Sequence, residues 1–277
     1  MKLLCRLLGV SRGGFYDYLR RHERAPDPVR EEKRVCIRWL AQGSANTYGS
    51  RRMAKGLRAL GYPVGRDQAR RLMREADVWV RYRRRYRVTT DSGHRQPVFA
   101  HLLKREFTVA APNQVWAADV TYVWTQEGWL YLAVVIDLYA RKVVGWAMDH
   151  RLTSRLVCDA LRMALWQRRP AAGQLIHHSD RGIQYASRAF RGLLKAHGIR
   201  GSMSRKGDCW DNAVVESFFG SLKSERGLWR NYQTREEARQ DIIAYIVMFY
   251  NSHRLHSFLG YRSPNEFEKG GHLANVA

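Results

Sequence analysis

Three carboxylates stand in sequence contexts from which a protein can build a site for phosphoryl transfer. Asp119 lies in a stretch of alternating character, Asp180 follows a predicted short strand at 174–178, and Glu216 lies within a helical pattern. There are 60 residues between the first two and 35 between the last two. Magnesium prefers hard oxygen ligands, and carboxylates from separate elements can bridge and flank two ions. These residues therefore predict a two-metal site in which all three are catalytic and metal-binding.

Each carboxylate also has an ordinary structural interpretation. Asp119 in a predicted strand could be paired with Lys or Arg, because a buried carboxylate without a partner is costly. Asp180 could be a turn residue that bonds its own backbone. Glu216 could lie on a solvated helix face. It is the combination of the three, rather than any one of them, that favours the metal site.

The residues around the carboxylates carry a family resemblance. They read WAADVTY at 116–122, SDRG at 179–182 and DNAVVESFF at 211–219. With these motifs the chain resembles the DDE transposases of bacterial insertion sequences, within the RNase H-like integrase superfamily, and in particular the OrfB proteins of the IS-three type. The resemblance covers nearly the whole chain.

The resemblance implies a mechanism and further partners. It implies DNA cleavage at the element ends and strand transfer by 3′-hydroxyl attack, with two Mg²⁺ ions as cofactors that Mn²⁺ can replace. Lys223 lies at helical spacing from Glu216 and resembles the basic residue that holds the terminal DNA backbone in this family. No serine or tyrosine nucleophile motif is evident.

The charge is strongly positive and uneven along the chain. The formal net charge is +23, and residues 1–100 hold 24 Lys and Arg against 9 Asp and Glu. A basic first third on a globular body favours a polyanion partner, and double-stranded DNA is the predicted one. The alternative is a solvated surface rich in arginine.

A helix-turn-helix is predicted between Tyr48 and Ala76. Ser50 is expected to cap its first helix, residues 62–65 form the turn, and the second helix places Ala69, Leu72 and Met73 inward. The predicted DNA-binding side chains of that second helix are Gln68, Arg70, Arg71 and Arg74. An ordinary helical hairpin with a basic face is the alternative.

A basic strip follows the helix-turn-helix and is expected to track a DNA backbone. Its predicted DNA-binding residues are Arg81, Arg83, Arg84 and Arg85. The alternative is a solvated linker.

The fold class expected from these patterns is α/β. A helical helix-turn-helix region precedes an RNase H-like core with a five-stranded mixed sheet and helices. The predicted divisions are a short helical segment at 1–25, the DNA-binding region at 30–80, a basic linker at 81–105, the catalytic core at 106–269 and a tail at 270–277.

The four cysteines are scattered, at Cys5, Cys36, Cys158 and Cys209, so a zinc site is not expected. Their usage fits a reduced bacterial cytoplasm, and DNA binding would associate the protein with the nucleoid. The longest apolar run, 129–136, is too short to span a bilayer.

Two rival functions share part of this pattern. An RNase H-like nuclease without strand transfer would keep the carboxylates, and a catalytically silent DNA-binding regulator would keep the basic first third. Since a transposase must hold two element ends, a homo-oligomer on DNA is expected. The resemblance also implies an upstream-frame OrfA-like partner, joined by frameshift, because Met1 to Arg21 looks like only the tail of a helix-turn-helix.

Overall fold

The computed structural model describes residues 1–23, 27–81, 98–103, 108–205, 212–227 and 230–274. It divides the chain into two compact units, Met1–Val80 and Arg81–Ala277. The predicted DNA-binding residues Arg83, Arg84 and Arg85 lie outside the described residues.

The first unit is helical. Its helices are α1 (Lys2–Leu7), α2 (Arg12–Glu23), α3 (Pro28–Gly43), α4 (Ser50–Ala59) and α5 (Arg66–Glu75). Helix α3 begins at Pro28, because Asp27 caps it by accepting from the Val29 N–H at 3.1 Å. Pro28 is the first helical residue, where its missing N–H has no cost.

Helices α4 and α5 form the predicted hairpin around a buried core. Ala69, Leu72 and Met73 point inward as expected. The expected Ser50 cap is wrong, since Ser50 is the first helical residue and Gly49 precedes the helix without a side-chain cap. The turn is closed instead by Arg58, whose Nε donates to the Val64 carbonyl at 2.9 Å.

The second unit is built on a five-stranded mixed sheet, as the fold-class prediction stated. Its strands are β1 (Val115–Thr125), β2 (Gly128–Asp137), β3 (Lys142–Asp149), β4 (Ile176–Ser179) and β5 (Arg200–Met203). Their order is β3-β2-β1-β4-β5. The first three strands are antiparallel, whereas β4 runs parallel to β1 and β5 runs parallel to β4.

Helices cover both faces of this sheet. The helices α6 (Ser154–Arg168), α7 (Ile183–Ala186) and α8 (Arg188–Ala196) pack on the face that contains Ala118 and Val135. The helices α9 (Ala213–Leu222) and α10 (Arg235–Ala244) pack on the face that contains Ala117 and Val134. Because side chains alternate along a strand, Asp119 shares a face with Ala117 and so lies on the side of α9.

Ordered structure is present in two segments that were predicted to be a linker and a tail. Part of the predicted linker packs on the core: Leu103 is buried, and the Leu102 N–H donates to Ser202 Oγ at 2.9 Å. The predicted tail is helical through Ala274, since α11 (Pro264–Ala274) extends into it. Ser263 Oγ accepts from the Glu266 N–H and so caps the start of α11.

Candidate active site

The register of two parallel strands brings Asp119 and Asp180 side by side. Ala118 on β1 pairs with Ser179, the last residue of β4. Asp119 and Asp180 are each the next residue along. Since neighbouring strands lie about 4.8 Å apart, the two backbones deliver both carboxylates to the same point of the sheet.

The electrostatics of Asp119 show that its neighbours are acidic. Burial raises its pKa well above the ordinary value, and the negative charges of Asp180 and Glu216 raise it further. A hydrogen bond at 2.7 Å from the Val120 N–H and the positive charge of Lys223 act in the opposite direction. The ionised carboxylate is therefore disfavoured where it stands, and a nearby cation would relieve this.

A tight turn fixes the orientation of Asp180. Its Oδ1 accepts from the Gly182 N–H at 3.0 Å, which is the backbone bond that the ordinary interpretation expected. The next residue, Arg181, donates from Nε to the Ser204 carbonyl at 2.7 Å, beyond the end of β5. The turn thus holds the carboxylate and is itself tied to the residue that follows β5.

Helix α9 carries Glu216 and begins against the backbone of β1. Asn212, which precedes the helix, is buried and donates from Nδ2 to the Ala118 carbonyl at 3.2 Å. Glu216 is one helical turn later, on the same side, and is exposed. Helix α9 therefore begins in contact with Ala118, the residue that precedes Asp119 on β1. Glu216 occupies the solvent side of the site.

Lys223 lies at the other end of this helix. The helix widens there into a π-helical turn, Lys223–Gly227. The Lys223 Nζ is 5.1 Å from the centroid of the Tyr122 ring, and its charge reaches Asp119. The structure thus places this predicted DNA-binding residue next to the carboxylates.

A buried ion pair that sequence reasoning missed holds the same helix end. Arg254 donates from Nε to both carboxylate oxygens of Glu225, at 3.0 Å each, and from Nη2 to Oε1 at 2.8 Å. Arg254 Nη2 also donates to Ser221 Oγ at 2.9 Å, and the Tyr245 hydroxyl donates to Glu225 Oε2 at 2.7 Å. Neither Glu225 nor Arg254 lies in the motifs at 116–122, 179–182 and 211–219, so no local sequence signal pointed to this pair.

The oxygens of Asp119, Asp180 and Glu216 suit a hard divalent cation, although Asp180 and Glu216 do not lie equally close to Asp119. Within the described ranges, no three His, Cys, Asp or Glu side chains are close enough to hold one ion together. Asp180 affects Asp119 more strongly than Glu216 does. The structure therefore brings the two aspartates together and leaves Glu216 at the rim. Carboxylate oxygens remain the chemistry that Mg²⁺ and Mn²⁺ select.

In the first unit, the candidate DNA-binding side chains of α5 face solvent. The exposed side chains are those of Gln68, Arg70, Arg71 and Arg74. Gln68 and Arg71 also line a cavity of about 210 Å³ between α3 and α5. Arg30 of α3 and Glu75 of α5 line the same cavity and are paired at 2.6 Å. Arg81, described with the second unit, is exposed as well.

Comparison with known proteins agrees with these two units. The family described as "Integrase core domain" matches residues 109–209, and a second family of that description matches 197–264. The family described as "HTH-like domain" matches 28–86.

Two relatives match nearly the whole chain. The chain is 44% identical to the "Insertion element IS600 uncharacterized 31 kDa protein" of Shigella sonnei, covering 97% of this chain and 98% of that protein. It is 42% identical to the "Transposase InsF for insertion sequence IS3A" of Escherichia coli (strain K12), covering 97% and 93%.

Among solved structures, the chain is similar to the catalytic core domain of BIV integrase, with 20% identity and a TM-score of 0.44. That match covers 60% of this chain and 99% of that one. The HTLV-2 integrase catalytic core domain, solved in complex with magnesium, has 17% identity and a TM-score of 0.44, covering 57% and 97%.

An integrase-core sheet that carries paired aspartates, preceded by a helix-turn-helix-like region, defines a polynucleotidyl transferase of the DDE transposase and integrase class. The chain belongs to the IS3 family of insertion-sequence transposases, the InsF or OrfB type. Its function is DNA cleavage and strand transfer, and its partner is DNA. In the part of the chain that the structure describes, no helix is long and apolar enough to cross a membrane.

Proposed function

We propose that Asp119, Asp180 and Glu216 are the catalytic carboxylates of this transposase and that they hold two divalent ions, Mg²⁺ or Mn²⁺. The observation that supports this most directly is the electrostatic environment of Asp119. The negative charges of Asp180 and Glu216 both raise the pKa of its carboxyl group. When bound, the ions would lower the pKa of the attacking hydroxyl and stabilise the leaving oxygen.

The residues of the chain itself have separate tasks around the reacting phosphate. The turn at Asp180 and the backbone bond to Asp119 hold two carboxylates in fixed directions. Glu216, on the open side, completes the set from a separate helix. Lys223 positions a DNA phosphate beside them, since its ammonium group lies near the carboxylates and faces the Tyr122 ring. The attacking group is water in the first step and the freed 3′-hydroxyl in the second.

Recognition of the element ends is assigned to α5 and the basic strip. Gln68 and an arginine can reach base edges from a helix placed in the major groove, while other arginines bind phosphates. The set proposed for DNA contact is Gln68, Arg70, Arg71, Arg74, Arg81, Arg83, Arg84 and Arg85. The exposure of the four α5 side chains supports the first half of this set.

Two partners complete the proposal. A homo-oligomer would pair two element ends, and an OrfA-like protein of the upstream frame would join this chain near its N-terminus. Support for the second comes from α1 and the residue after it, where Leu3, Leu7 and Leu8 are 72%, 75% and 70% exposed. Apolar side chains exposed together in this way mark an interaction surface. The site of action would be the bacterial cytoplasm, at the nucleoid.

The test is cleavage and joining of a labelled element end by wild type and by Asp119→Asn, Asp180→Asn and Glu216→Gln. Each variant should lose both reactions and still bind DNA, because a charged ligand is removed with little change in shape. Wild type should require Mg²⁺ or Mn²⁺ and be inhibited by a chelator. Wild-type turnover by any variant would remove that residue from the site, and full activity in excess chelator would refute the metal mechanism.

A further inference from the structure

The hairpin of β1 and β2 carries a cluster of three aromatic rings, Tyr122, Trp124 and Trp129, which we call the aromatic ladder and in which Trp129 contacts the other two. The Trp129 ring is 4.9 Å from Tyr122 and 4.7 Å from Trp124 between centroids, both edge to face. Trp124 is 55% exposed and Trp129 is 43% exposed. Large rings left in solvent side by side usually mark a binding surface.

The aromatic ladder begins beside the proposed catalytic site. Tyr122 is three residues beyond Asp119 on the same strand, about 10 Å along an extended chain, so its side chain leaves from the opposite face of the sheet. Lys223 connects the two places, because its Nζ lies over the Tyr122 ring while its charge reaches Asp119. β4 pairs with β1 only as far as Ala118, so a DNA strand that reacts at the carboxylates would reach the rings around the edge of β1, beside Lys223.

The ribbon under the rings is held firmly. Arg235 donates from Nε to the Trp129 carbonyl at 3.1 Å, and the Gln126 N–H donates to the Tyr232 carbonyl at 3.0 Å. Within the hairpin, Thr125 Oγ1 donates to the Gly128 carbonyl at 2.7 Å. Because the strand ends are fixed, the rings are presented in place before any ligand arrives, which lowers the entropic cost of binding.

The chemistry around the aromatic ladder favours a nucleotide over a protein partner. Centres of protein interfaces are depleted in charged residues, whereas this patch has the Lys223 ammonium against its first ring. Aromatic rings beside a basic group are the usual platform for unpaired nucleic acid, since every base has a face that can stack. A base inside a duplex has both faces covered, so only an unpaired one can use the rings.

We propose that the aromatic ladder and Lys223 bind unpaired nucleotides of the DNA substrate next to the reacting phosphate. Trp124 and Trp129 stack on the bases, and Lys223 contacts the phosphate between them and the carboxylates. This proposal depends on the proposed function, because it requires DNA at Asp119. In this proposal the hairpin of β1 and β2 binds an element end whose last base pairs have opened.

The experiment compares binding of three forms of one element-end oligonucleotide to the full-length protein without divalent metal. One form is fully paired, the second has mismatched terminal base pairs, and the third has abasic sugars at the same unpaired positions. Dissociation constants are measured by fluorescence anisotropy for wild type, Trp124→Ala, Trp129→Ala and Trp124→Phe. The matched control is Trp166→Ala on α6, a tryptophan that is 74% exposed.

Wild type should bind the mismatched end more tightly than the other two forms. Trp124→Ala and Trp129→Ala should weaken that binding by about 5- to 100-fold, as expected when one stacked base no longer has its platform. Binding of the paired and abasic forms should change little, Trp124→Phe should retain most of the preference, and Trp166→Ala should match wild type.

Equal binding of all three forms by wild type and the alanine variants would overturn the proposal. So would a change of oligomeric state in size-exclusion chromatography without a change in DNA affinity, because it would make the rings an interface between copies. Cleavage by wild type separates the two levels of inference. If wild type does not cleave element ends, the proposed function fails; if it cleaves them but the tryptophan variants keep its preference for mismatched ends, only the role of the aromatic ladder fails.

Discussion

Replacing Arg254 with methionine should lower the free energy of unfolding by about 3–5 kcal/mol, the usual cost of removing one partner from a buried ion pair. The side chains of Arg254 and Glu225 are only 7% and 4% exposed. Methionine keeps most of the aliphatic length but none of the donors. Of the donors to Glu225 described above, the carboxylate would then keep only the Tyr245 hydroxyl.

A second substitution separates charge from packing. Glu225→Gln in the Arg254→Met background removes the isolated buried charge and can still accept from Tyr245. The double variant should therefore be more stable than Arg254→Met alone, and the double-mutant cycle should give a coupling of at least about 1 kcal/mol. The measurement is urea-induced unfolding of all four proteins, with the slope of the transition compared as well as its midpoint.

The control is the same substitution in an exposed pair. Arg162 on α6 bonds Asp159 at 2.7 Å, but the two side chains are 59% and 42% exposed. Arg162→Met should change stability by no more than about 0.5 kcal/mol, because exposed pairs contribute little. If Arg254→Met also falls within about 1 kcal/mol of wild type, the scale of a typical point variant, or if Glu225→Gln fails to restore stability, the reasoning about this buried pair is wrong.

Two other predictions concern DNA affinity and acid stability. Arg70→Ala combined with Arg74→Ala should weaken binding to element ends and reduce the slope of log affinity against log salt by about one for each phosphate that the protein no longer neutralises, measured by gel shift over a salt series. Burial lowers the pKa of His177 to about 3. Since the unfolded chain binds a proton near pH 6.5 that the folded chain does not, stability should fall with decreasing pH between 6.5 and 3, by up to about 1.4 kcal/mol per pH unit. Unfolding in urea at several pH values should show a shallower fall for His177→Leu.

Each of these predictions has a result that contradicts it. Arg155→Ala with Arg162→Ala removes two exposed arginines from α6 and serves as the control for a general decrease in positive charge. If this control lowers the salt slope as much as the α5 double variant does, the effect comes from net charge and the arginines of α5 do not contact the DNA specifically. An identical pH dependence of His177→Leu and wild type would mean that His177 does not contribute to acid unfolding.

The sequence alone was sufficient to predict the secondary-structure elements of the core and the family of the protein. Alternation along β1 and helical spacing along α6 are local patterns set by burial of one face, so the strands and helices of the core could be predicted from them. The same logic placed Ala69, Leu72 and Met73 inside the hairpin. Apolar periodicity does not locate the start of α3, because capping by Asp27 and the fixed backbone of Pro28 decide it.

Only the tertiary structure decided which distant residues meet. Asp119 and Asp180 become neighbours through the parallel pairing of β1 with β4. Glu225, in the wide helical turn Lys223–Gly227, meets Arg254, which follows the wide turn Tyr245–Tyr250, and Tyr245 of that second turn donates to the same carboxylate. Such pairings join residues far apart in the chain, and no spacing rule encodes them. The sequence by itself thus determined the fold class and the three candidate carboxylates, while the packing of separate elements decided that two of them are adjacent, that Glu216 stands at the rim, and that Lys223 lies over the first ring of the aromatic ladder.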